Sequence, residues 1–360
     1  MRILFYHTGE SWTASSRTFA VAARGLLERG DQVTVVCRTD TPAEQAFARD
    51  GIDVVSLPIS GAVSRDAWRL RTVLKEKFTE VIFLHTEREQ LIASSAMRLA
   101  ERGAVIRRIP AGGRIVAGSG ARWAGRFATA RLLFSTEMDR QRVGAADALI
   151  APLGVDVSKV EDSRAASRTL LGIEPETQLI VCVADRKVKT RVTTVLRTLA
   201  LLAERHPDLR LALVGSGDDD DTHMHAAALG VTPLVRFLGE RDDMAAVVGA
   251  ADVGWVAADG DDGAFACLDF MAARVPVIAE RSPLLSHYVP DGISGVLLPP
   301  ATPSDTAATV ANFLADNNQR AAMGKAGRAR VAREFTETAM IEGFFAAATA
   351  AGDRTLWAAR

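Results

Sequence analysis

Asp269 stands inside the stretch FACLDFMAA, a carboxylate among Phe265, Cys267, Leu268, Phe270 and Met271. A charge in so apolar a setting needs a hydrogen-bond partner, water or a ligand. Residues 264–273 read as a helix of small and apolar residues, 259–263 (Asp-Gly-Asp-Asp-Gly) as an acidic turn, and 253–258 as an apolar strand. In an open parallel sheet, ligands bind at the turn that follows the carboxyl end of a strand. If the helix opens after that turn, the amides of Ala264, Phe265 and Ala266 lack intrahelical acceptors and can receive an anion such as a diphosphate. Phe265 and Asp269 are four apart and share a face. Two readings stay open: Asp269 contacts a ligand, or Asp261 or Asp262 merely caps the helix while Asp269 faces solvent.

Other residues could serve the same chemistry. The run ADRKVKTRV places Arg186, Lys187, Lys189 and Arg191 just past an apolar strand at 178–184. Four cations there suit a diphosphate, and a solvated basic loop is the alternative. His7 and His85 each follow an apolar strand, at 2–6 and 81–84, so both are candidates for contact with a second substrate. The plainer reading is a hydrogen-bonded structural histidine. Ser15 and Ser16, in the loop GESWTASSR, either offer hydroxyls and amides to a phosphate or cap the helix that follows. Gly215 ends the strand at 209–214 in a Gly-Ser-Gly turn. The acidic run at 218–221 reads as a solvated loop rather than a metal site. Arg122 and Arg126 are four apart, with Trp123 and Phe127 beside them at the same spacing. On a helix they form a basic strip beside an aromatic one. That strip either meets an anionic acceptor or anionic lipid headgroups, or belongs to a helix with its rings in the core and its arginines in water.

The elements that must position these groups are legible as an alternation. Strands at 2–6, 32–37, 54–57 and 80–84 are interleaved with amphipathic helices, and the pattern restarts at 178–184. This predicts doubly wound parallel sheets. The chain of 360 residues is long enough for two such domains. Pro152, Gly154 and Asp156 punctuate a boundary between residues 1–152 and 153–336. Residues 1–150 hold 22 Lys and Arg against 16 Asp and Glu, and residues 151–360 hold 21 against 28. A basic half and an acidic half suit a cleft with an anionic ligand, but the imbalance is too mild for nucleic acid. No apolar run approaches the roughly 20 residues that span a bilayer. Cys37, Cys182 and Cys267 are scattered within apolar runs, as reduced core thiols are. Together with an N-terminus that lacks a cleavable signal pattern, they predict a cytoplasmic protein.

The segments ADGDDGAFACLDFMAARVPVIA and DGISGVLLPP, with PDLRLALVGSG, VRFLG and AADV in that order, resemble the retaining, nucleotide-sugar-dependent glycosyltransferases of family 4. The resemblance implies the GT-B fold, two Rossmann-like domains facing a cleft, with a last helix (337–360) crossing back onto the first domain. The family's signature pairs two glutamates eight positions apart; Asp261 and Asp269 stand at that spacing. It assigns Asp269 to the donor ribose, Asp261 or Asp262 to the sugar hydroxyls, and an Arg/Lys pair, here Arg186 and Arg191 with Lys189, to the diphosphate. It assigns the backbone of Phe237, Leu238 and Gly239 to the base. The chain departs from the family in having aspartates for both glutamates, Ala14, Ser15 and Ser16 where a glycine pair is usual, RRIPAGG where a histidine often stands, and Asp185 and Thr190 in the places of the Arg/Lys pair when it is aligned on the following helix. The implied activity is transfer of a sugar, with retention and without metal or cofactor, to a glycan, lipid-linked or small-molecule acceptor in polysaccharide or glycolipid synthesis. The departures leave a catalytically weakened binding or scaffolding subunit as the alternative.

Overall fold

The computed structural model describes residues 1–101, 103–113, 115, 130–160, 164–185, 189–215, 219–241 and 243–358. Two compact units are present, Met1–Leu153 together with Glu337–Arg360, and Gly154–Thr336.

In the first unit the strands are β1 (Arg2–His7), β2 (Gln32–Arg38), β3 (Asp53–Leu57), β4 (Val81–Leu84), β5 (Ala104–Ile109), β6 (Ala130–Phe134) and β7 (Leu149–Ile150). They pair in parallel in the order β3-β2-β1-β4-β5-β6-β7. The connecting helices are α1 (Ala14–Glu28), α2 (Pro42–Arg49), α3 (Val63–Glu76), α4 (Glu87–Ala100) and α5 (Glu137–Val143). Strands that are apolar on both faces belong to a sheet covered on both sides, and Leu4, Phe5, Tyr6 and all of β4 are buried. Helix starts are set locally. Thr13, Thr41 and Thr86 each form a reciprocal capping box, with Ser16, Glu44 and Glu89. The final helix, α14 (Glu337–Ala358), completes this unit. Its Phe344 joins Phe5, Phe19 and Phe83 in one aromatic cluster, 5.1 Å from Phe83 between ring centroids. Arg24 pairs with Glu337, and Arg29 with Glu342, at its edge.

The second unit repeats the plan. Its strands β8 (Gln178–Ala184), β9 (Leu209–Val214), β10 (Val235–Gly239), β11 (Val253–Ala257), β12 (Val277–Glu280) and β13 (Gly295–Leu298) run parallel in the order β10-β9-β8-β11-β12-β13. Helices α6 (Arg164–Leu171), α7 (Lys189–Ala203), α8 (Asp219–Ala228), α9 (Met244–Gly249), α10 (Gly260–Ala272), α11 (Pro283–Tyr288), α12 (Pro303–Ala315) and α13 (Asn317–Glu334) cover it. Each unit is therefore a doubly wound, Rossmann-like α/β sheet. The strand order reverses between β1 and β4 in one and between β8 and β11 in the other, and ligands bind such sheets at that point.

Candidate functional site

At the carboxyl edge of the second sheet the strand ends are laced together. The Asp185 amide donates to Ala257, and the Gly215 amide to Gly239. Gly215 has φ +137°, and a Cβ there would overlap the Ala184 carbonyl oxygen, so only glycine brings β9 this close to β8. Gly239, also at positive φ, follows a register shift in β10, and Phe237 stacks on His223 with centroids 3.7 Å apart. His223 carried no signal in the sequence, because its partner lies on another element.

Helix α10 corrects the sequence reading. It begins at Gly260, four residues earlier than the Asp-Gly-Asp-Asp-Gly turn suggested, and Gly263 already donates to the Asp259 carbonyl at 3.1 Å. The amides of Ala264, Phe265 and Ala266 therefore belong to the helical ladder and do not open the helix to an anion. Asp261 and Asp262 lie in its first turn, Asp261 buried and Asp262 exposed. The early start requires Gly263, where a Cβ would overlap the Ala258 carbonyl. Asp269 is 8% exposed, which removes the reading that it faces solvent. Burial first, and then the Asp269 carboxylate, push the Cys267 thiol upward, so this cysteine is inert.

Arg191, in the first turn of α7, reaches Asp259 at 2.8 Å and Glu280 at 3.5 Å. Its expected partners are incompletely seen: Arg186 and the side chain of Lys189 lie outside the described residues. So do Arg122 and Arg126.

The first sheet brings His7 and His85 together, with ring centroids 6.4 Å apart, at the carboxyl ends of β1 and β4. Here the phosphate reading of Ser16 fails. The cap of α1 is Thr13, neither Ser15 nor Ser16. Ser16 is fully buried, its hydroxyl 3.0 Å from His7 Nε2 and within the capping box. Ser15 is half-buried, and its carbonyl accepts from His85 Nε2 at 3.1 Å. Within β5, Arg107 donates to the His85 carbonyl and to Gln90, and the buried Arg108 donates to Ser135 at 2.8 Å.

Glu89 was missed in the sequence. Its Oε1 accepts from the Thr8 amide (2.7 Å) and hydroxyl (2.9 Å), and its Oε2 from the amides of His85 (3.0 Å) and Thr86 (2.8 Å). One buried carboxylate thus ties the ends of β1 and β4 together at the switch point. Its only local signal is the Thr86-x-x-Glu89 capping box.

Burial holds the pKa of His7 below its ordinary value, against the pull of Glu89. Burial, the Arg108 guanidinium and His7 hold His85 lower still. Both rings are neutral in the fold and bind protons more readily when unfolded. Their contribution to stability is full above about pH 6.5 and falls as pH drops from there toward the folded values. The urea midpoint of the first unit should therefore decline on acidification below about pH 6.5. In a His7→Gln, His85→Gln chain the decline should be shallower.

Among the described residues no group of three His, Cys, Asp or Glu side chains is placed to hold a metal ion. No described helix is long and apolar enough to cross a membrane.

Residues 163–330 match the family described as "Glycosyl transferases group 1". The second domain belongs to that family. The matched residues include the whole carboxyl edge just described, from Arg191 through Asp269 to Glu280, and stop short of the first unit. A D-inositol 3-phosphate glycosyltransferase of Corynebacterium kroppenstedtii is 30% identical over 169 residues, 44% of this chain and 38% of that protein. A GDP-mannose-dependent monoacylated alpha-(1-6)-phosphatidylinositol monomannoside mannosyltransferase of Corynebacterium glutamicum is 29% identical over 204 residues, 53% of each. The matches thus span about half or less of these curated relatives. The structure of HepE from Anabaena in complex with UDP and glucose superposes with a TM-score of 0.80 at 17% identity, covering 97% of this chain and 99% of that one. That likeness is one of fold, the GT-B fold that the sequence resemblance implies.

Proposed function

We propose that the chain is a retaining glycosyltransferase that takes a nucleotide-sugar donor on its second unit and needs no metal. The observation that carries this is the placement of Arg191 beside the start of α10, at the β8/β11 switch point, in a helix that buries Asp269. In this reading Arg191, with Arg186 and Lys189, stabilises the diphosphate as it departs with the bonding electrons. Asp269 holds the ribose hydroxyls, Asp261 or Asp262 the sugar hydroxyls, and the backbone of Phe237–Gly239 the base. The acceptor meets the first unit near His7 and His85. The relatives' printed activities favour a glycan or glycolipid acceptor, including one that carries a phosphate. Peripheral membrane contact through Arg122 and Arg126 is the finer version of that proposal. The burial of Ser16 favours a second reading, a subunit that binds the donor but turns it over poorly.

A thermal-shift panel of UDP-, GDP-, ADP- and CMP-sugars tests donor binding, since a ligand of the native state raises its melting temperature. With the donor found, transfer should survive EDTA and keep the anomeric configuration. Arg191→Ala should weaken the nucleoside diphosphate by about 1 kcal/mol and leave the nucleoside unchanged, because a guanidinium acts on the phosphates. Equal losses for both ligands would remove Arg191 from the donor site. Binding without turnover would favour the second reading.

A further inference from the structure

Asp259 occupies the N-cap position of α10, where aspartate is among the best capping residues, yet its side chain makes no capping bond. The carboxylate reaches across to Arg191 Nη2 at 2.8 Å instead. Glu280, at the end of the neighbouring strand β12, approaches the Nε of the same guanidinium at 3.5 Å. Arg191 is 26% exposed, whereas the two carboxylates are 54% and 57% exposed. A partly sheltered cation is thus held between two exposed anions, one just past β11 and the other ending the adjacent β12. Such exposed pairs are weak and readily exchanged.

We propose that Asp259 and Glu280 are anionic placeholders: they hold Arg191 over the carboxyl edge of the sheet when no donor is present, and a diphosphate displaces them. This rests on the donor reading above. The two carboxylates and a diphosphate cannot all take the close positions on one guanidinium, so the pairs subtract from the affinity for any anion at Arg191. They also preserve the position of the arginine, which limits the side-chain ordering that remains when the ligand arrives. Once released, Asp259 can turn to the capping role that its position offers. The two acids therefore set how much anionic charge a ligand must bring to be held, favouring a diphosphate over a singly charged group.

The decisive experiment is calorimetric titration of wild type, Asp259→Asn, Glu280→Gln and Asp259→Asn with Arg191→Ala, using inorganic pyrophosphate and, separately, UDP, GDP and ADP. Asparagine caps as well as aspartate, so the first variant should keep its fold, which its melting temperature checks. Asp259→Asn and Glu280→Gln should each bind pyrophosphate about two- to fivefold more tightly than wild type, the range for losing one exposed ion pair. The gain should vanish when Arg191 is also removed. Unchanged or weaker pyrophosphate binding by a folded Asp259→Asn chain would overturn the placeholder role, as would a gain that persists without Arg191. The nucleotide arm speaks to the other question. If wild type binds none of the three nucleoside diphosphates, the donor reading falls, while the pyrophosphate comparison still decides the placeholder.

Discussion

Glu89→Ala should cost the first unit about 3–4 kcal/mol of stability, because one buried and three part-buried donors lose the carboxylate that accepts from them, at about 1 kcal/mol each. The amides of Thr8, His85 and Thr86 and the Thr8 hydroxyl all donate to it. Its removal also undoes the capping box of α4. Because the chain has two units, a single unfolding transition cannot be assumed. The direct readout is hydrogen exchange at those three amides, beside urea unfolding of the whole chain. Glu89→Gln keeps one acceptor oxygen and should cost less. If all three amides stay protected in Glu89→Ala, the carboxylate is not what holds β1 and β4 together at their ends. The same variant should loosen His7 and His85, and with them whatever the first unit binds there.

Asp269→Asn should weaken binding of the donor nucleotide by about 1–3 kcal/mol, the scale for hydrogen bonds to a charged acceptor. The near-identical shape of asparagine should leave the packing of α10 and its melting temperature almost unmoved. The effect should be equal for nucleoside and nucleoside diphosphate, because the proposed contact is to the ribose. That separates it from Arg191→Ala, which should act on the diphosphate alone. Unchanged affinity for every nucleotide that stabilises wild type would take Asp269 out of the donor site and leave it a buried structural acid.

Particular residues show where reading along the chain succeeds and where it stops. The alternation of apolar strands and amphipathic helices was legible because the periodicity of burial is a local property, and the two sheets follow from it. The motif blocks between residues 207 and 300 pointed to the family that residues 163–330 match. Helix starts were less legible. Thr13, Ser15 and Ser16 are all plausible caps in isolation. Thr13 prevails because the Ser16 hydroxyl is taken by His7, which arrives from β1. The stretch Asp259–Gly263 has the composition of a turn, yet it enters α10 because Gly263 can lie against the end of β11.

The element types, their order and the two-sheet class could be read along the chain, because each rests on neighbours within a few residues. Only the tertiary structure decided which charges meet. Glu89 binds Thr8 across 81 positions of chain, and Arg191 binds Asp259 across 68. Those distances close only when strands cross over to the far side of the switch point. No local periodicity encodes that closure, because it depends on the order of strands in the sheet rather than on their order in the chain.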